Sequence, residues 1–135
     1  MRRLLMIAIL LVAEITLAQT SLDPKMFGSW KGSEKDQQIM GVEKHWIQHR
    51  FENGTYIILF TTIEDGEGKS WSEKGKWWIE NGDFHELHSG SQDADVYTYK
   101  FLDDDHVQFR VKSTKSNFEN PEYQFIDTRL LEDSL

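Results

Sequence analysis

The chain has 135 residues, 15 of them basic and 23 acidic, for a formal charge of −8, with 13% aromatic residues and no cysteine. An acidic balance repels a phosphate backbone, so nucleic acid is not an expected ligand, and an anionic membrane surface is disfavoured in the same way. Without cysteine there is no disulfide, no thiol nucleophile and no cysteine-ligated metal, so stability has to come from a hydrophobic core.

Residues 1–18 read as a signal peptide. Arg2 and Arg3 precede an apolar run from Leu4 to Ala13, and Thr16-Leu17-Ala18 offers a small-x-small cleavage site before Gln19. The stretch from Leu4 to Thr16, ~13 residues interrupted by Glu14, falls short of the ~20 apolar residues that cross a bilayer. Export to the periplasm or the medium is the expectation, with residues 19–135 as one domain and no membrane span in the mature chain. Losing Arg2, Arg3 and Glu14 takes the formal charge to −9.

Gln19 to Lys25 is a polar lead-in, with Asp23-Pro24 as a turn. Strands are expected at 29–36, 42–52, 55–64, 69–80, 83–88, 96–102, 106–113 and 123–131, and no helix is expected in the mature chain. Asn53-Gly54, Asp65-Gly66, Asn81-Gly82, Ser89-Gly90 and the cluster Asp103-Asp104-Asp105 punctuate the series. Asn-Gly and Asp-Gly tolerate the positive φ of type I′ turns, so the strands they join should pair directly. Pro24 and Pro121 both fall outside the strands, as a meander requires. The fold class is therefore all-β: an antiparallel up-and-down meander of about eight strands, closing into a barrel to remove its edges.

Alternation assigns faces. Trp71, Glu73, Gly75, Trp77 and Ile79 share one parity, opposite Ser70, Ser72, Lys74 and Lys76, and should point inward. Tyr97, Tyr99 and Phe101 do the same in the sixth strand, and Val107, Phe109 and Val111 in the seventh. The third strand, Tyr56 to Phe60, is apolar on both faces, and strand 42–52 divides Trp46, Ile47, Arg50 and Phe51 between parities and takes no orientation from its pattern.

Gly28-Ser29-Trp30, opening the first strand of an all-β meander, resembles the Gly-x-Trp signature of the lipocalins and their calycin relatives, and the chain is similar to small lipocalin-like domains of exported bacterial proteins. The resemblance spans nearly the whole mature chain. It implies that Trp30 closes one end of the barrel against a basic side chain of the last strand, for which Arg129 is the matching residue. It further implies binding of a small, largely apolar or amphipathic molecule without catalysis or cofactor. The mature chain is shorter than the larger lipocalins, lacks disulfides and a terminal helix, and has Asp95-Val96-Tyr97 where a Thr-Asp-Tyr turn would stand. A barrel this small can be filled by its own side chains, so an open and a filled interior are both consistent with the sequence.

Carboxylates at inward parity favour an open interior. Glu73, Glu86 and Asp127 need arginine partners, water or a ligand, because burying a lone carboxylate costs several kcal/mol. Arg50 and Arg129 are the candidate partners. The expected ligand-binding set is Trp46, Arg50, Trp71, Glu73, Trp77, Glu86, Tyr97, Tyr99 and Phe109, aromatic walls with a few placed polar groups. The histidines read as scattered surface residues with no metal site: residues i and i+4 of a strand, as His45 and His49 are, lie ~13 Å apart, and i and i+3, as His85 and His88 are, point to opposite faces. No nucleophile-elbow, zinc-protease or phosphate-loop motif occurs, and no catalytic residue is assigned. Two other functions fit the pattern: an interaction module using the third strand and Trp78 on the outer wall, and a calycin-type enzyme using Glu73 and Glu86.

Overall fold

The computed structural model describes residues 20–113 and 120–131, and the expected signal peptide at 1–18 lies outside them. The elements are β1 (Thr20–Ser21), a short 3-10 helix (Pro24–Met26), β2 (Gly28–Lys35), β3 (Val42–Arg50), β4 (Thr55–Glu64), β5 (Glu67–Glu80), β6 (Asp83–His88), β7 (Asp95–Asp103), β8 (His106–Ser113) and β9 (Gln124–Arg129). From β2 onward each strand pairs antiparallel with the next, and β9 returns to β2 through Trp30↔Arg129 and Lys31↔Thr128. The result is a closed, eight-stranded, up-and-down barrel. β1 adds a short strap to β5 through Thr20↔Glu80 and Ser21↔Ile79.

Turn chemistry sets the register. Asp65 and Gly66 have φ of 53° and 77°, and Asn81 and Gly82 have 52° and 81°, so both pairs form two-residue hairpins with left-handed backbone at each position. At Asn53-Gly54 only the glycine is left-handed; the connection is longer, and the Asn53 carboxamide accepts from the Thr55 amide at 3.0 Å. Ser89-Gly90 likewise opens a longer connection, which ends where β7 begins at Asp95.

Faces follow the alternation. Trp77, Ile79, Tyr97, Val107 and Phe109 are buried, while Thr98, Lys100, Arg110 and Lys112 lie outside or at the surface. β4 resolves into an inward set of Tyr56, Ile58 and Phe60 and an exposed pair, Ile57 and Leu59. β3 buries Val42, Trp46, Gln48 and Arg50 and exposes His45 and Ile47. Its polar residues face the core while an isoleucine faces water, which is why the hydrophobic pattern gave no orientation.

One end of the barrel is plugged. Asp23 caps the 3-10 helix by accepting from the Lys25 amide, and the buried Met26 carbonyl accepts from the Trp30 indole at 2.9 Å. Arg129 lies 4.2 Å over the Trp30 ring and donates to the carbonyls of Phe27 and Lys25 at 2.8 and 2.7 Å. One guanidinium thus serves as a cation over an aromatic face and as a staple for the helix. Above it Trp77 stacks on Phe84, and Phe84 meets Phe109 edge-on at 5.0 Å, so this half is filled by side chains.

Candidate functional site

The opposite end is open. There, where β2, β4, β6 and β8 end, residues of β3 to β7 with Gln38 and Tyr123 from the connections line a cleft of about 650 Å³. Its walls include Trp46, Phe60, Trp71, Tyr97 and Tyr123, and its polar groups include Lys44, Glu73, Glu86, His88 and Asp95. Below the cleft, between Gln48, Ile58, Phe125 and shared wall residues, lies a void of only about 60 Å³. The interior is therefore neither a deep cup nor solid: it is packed at one end and hollow at the other.

The expected ligand set divides along that line. Trp46, Trp71, Glu73, Glu86 and Tyr97 border the cleft. Arg50, Trp77 and Phe109 sit fully buried in the packed half, and Tyr99 donates its hydroxyl to Asp23 at the plugged end. Trp71 has inward parity yet is 41% exposed, because β5 extends beyond the barrel rim there; its ring stacks on Phe60 and its indole donates to Glu73 at 3.0 Å. Trp46 is held from two sides, donating to Asp127 at 2.8 Å and lying so close over Gly32 that a Cβ there would overlap the ring. Only glycine leaves room for the indole at that crossing.

The interior charges are ordered from bottom to top. Arg50 donates to Asp127 at 2.7 Å, with both side chains fully buried, and to the Gln48 carboxamide at 2.8 Å. Gln48 donates in turn to Glu86 at 3.0 Å. Glu86 lies 3.6 Å from His88, whose other contacts are Asp95 at 3.1 Å from Nε2 and, from Nδ1, Glu73 at 3.0 Å and the Tyr56 hydroxyl at 2.9 Å. The polar line runs from the core to the cleft and ends on an imidazole ringed by three carboxylates.

Protonation follows from those neighbours. The hydrogen bond to Asp95 raises the His88 pKa to about 9; burial works against the rise, and Glu86, Asp95 and Glu73 reinforce it. At neutral pH the ring is an imidazolium with both nitrogens donating. Burial pushes Glu86 above the usual carboxylate range, opposed by His88, Gln48 and Arg50. Lys44, at the cleft wall, is lowered by its own burial, with Glu34 opposing.

His88 corrects the expectation of surface histidines. It shares inward parity with Phe84 and Glu86, and a carboxylate and a histidine two apart at the end of a short strand were the available signal. Asp95 stood one residue before the expected start of its strand, and Gln48 was hidden by the inverted pattern of β3. His85, of the other parity, stacks on Trp78 at 5.3 Å outside the barrel. Among the described residues no group of three or more histidines and carboxylates is arranged to hold a metal ion.

Chemically, the cleft offers flat apolar surfaces for stacking beside a fixed cluster of charges. No protein-family model matches the chain, and no curated protein matches it.

Proposed function

We propose that the chain is an exported, non-catalytic barrel that binds a small molecule with a flat, largely apolar body and a polar end, taken up through the open end. The supporting observation is the cleft of about 650 Å³ with aromatic walls and a polar cluster on one side, a size and make-up typical of small-molecule sites. Glu73, Glu86 and Asp95 are paired with His88, so a ligand meets a preorganised cluster rather than side chains that must first be ordered. The lipocalin-like combination of Gly28-Ser29-Trp30 with Arg129 stacked on the indole supports the same reading.

Two measurements test it. Protein purified from its native compartment should show, by mass spectrometry under native conditions, a small-molecule mass that denaturation releases. In parallel, the neutral dye N-phenyl-1-naphthylamine should bind saturably and quench tryptophan emission, and Trp71→Ala should weaken it about tenfold, the loss of one stacking contact. Absence of a released mass together with non-saturable dye binding would overturn the proposal. A second reading, an interaction module, is favoured by the half-exposed Ile47, Ile57 and Leu59 on the outer wall; a partner lost on Leu59→Lys, with no released ligand, would decide for it.

A further inference from the structure

Closing a sheet into a barrel normally abolishes free edges, but β5 restores one. It runs from Glu67 to Glu80, pairing with β4 from Glu67 to Lys76 and with β6 only from Gly75 onward, because β6 ends at His88. Residues 67–73 therefore have β4 on one side and, among the described residues, no strand on the other. Gly68, Lys69, Ser70, Trp71 and Ser72 are all exposed.

The two-residue turn at Asp65-Gly66 makes Glu64 and Glu67 a hydrogen-bonded pair, so the odd-numbered residues of β5 direct N–H and C=O at β4. The same alternation appears further along, where the Trp77 amide donates to the Gly54 carbonyl on the β4 side and the Lys74 carbonyl accepts from Ser89 on the β6 side. Gly68, Ser70 and Ser72 thus present their backbone groups to the open side.

We propose that this edge is a homodimer interface, in which two copies of the chain pair antiparallel through β5 about a twofold axis at Trp71. The sequence around the axis is self-complementary. With Trp71 opposite its copy, Lys69 faces Glu73 of the second copy, twice by symmetry, and Ser70 and Ser72 exchange backbone hydrogen bonds. A slip of two residues one way sets Glu67 against Glu73, and a slip the other way sets Lys69 against Gly75, so charge selects the register. Trp71, 41% exposed in one copy, gains the cover of a second indole, and that indole lies at the rim of the cleft. The dimer shares Trp71 and Glu73 with the cleft, whereas Lys69 and Ser70 lie outside its lining and can be varied separately.

Sedimentation velocity of the purified protein, from about micromolar to about millimolar concentration, should show a monomer–dimer equilibrium of the kind expected for an isologous edge contact. Lys69→Glu, which turns both cross-strand pairs repulsive, should weaken it about tenfold. Ser70→Pro should abolish it while leaving the β4 ladder whole, since the lost amide faces the open side. Amide exchange should show Ser70 and Ser72 gaining protection as concentration rises. A protein monomeric throughout the range overturns the proposal and leaves the edge to solvent or to an extended segment of another protein. A dimer indifferent to both variants, or protection gained elsewhere, overturns it in favour of another face. Dye binding to the cleft, measured separately, reports on the ligand proposal whatever the outcome here.

Discussion

Arg50 and Asp127 concentrate the cost of this interior. Each is fully buried, and each has its charge met by the other at 2.7 Å; the Trp46 indole donates to Asp127 and the Gln48 carboxamide accepts from Arg50, whose Nε has no hydrogen-bond partner among the described residues. Removing one partner strands a charge, so Asp127→Ala should cost about 3–5 kcal/mol in urea unfolding, whereas replacing both by apolar side chains (Arg50→Met with Asp127→Leu) should recover most of it. Equal losses in the single and double variants would show that volume, not charge, dominates. His88 sets the pH dependence. Its folded pKa of about 9 lies above the ordinary 6.5, so its contribution is complete below about 6.5 and is lost as pH rises through about 9. The urea midpoint should therefore fall from about pH 6 to about pH 10 in the native protein and fall less in His88→Gln. Parallel pH profiles would show that the carboxylate ring does not hold the imidazolium.

At the scale of elements, most of the barrel was legible because the signals were local. Asp65-Gly66 and Asn81-Gly82 determine two hairpins by backbone conformation alone, and 55–64, 83–88 and 106–113 begin and end where the turns and alternation put them. β3 was legible as a strand but not as an oriented one, since the polar residues it turns inward pair with Glu86 on β6 and Asp127 on β9, partners far away in sequence. The cleft was half legible for a related reason. Inward parity identified Trp71, Glu73, Glu86 and Tyr97, but parity says nothing of depth, and depth separates the cleft-lining Trp71 from the packed Trp77 six residues later on the same face. The overhang of β5 depended on β6 ending early, which no single strand records.

Across the whole molecule the barrel is polarised, with its aromatic core and helix plug at one end and its cavity and the β5 overhang at the other. Stability should be distributed the same way, because opening free energies follow buried apolar contact. In dilute protein, amides of Trp78 and Phe109 should exchange only through global unfolding, while those of Gly68 and Ser70 exchange orders of magnitude faster. Uniform protection along β5 would contradict the polarity. The hairpin tip at Asp65-Gly66 stands beyond every ladder that closes the barrel, for β5 is retained below it by β6 and β1 as well as by β4. Asp65-Gly66 is thus a natural place for new termini or for a grafted domain whose weight the barrel wall would not feel.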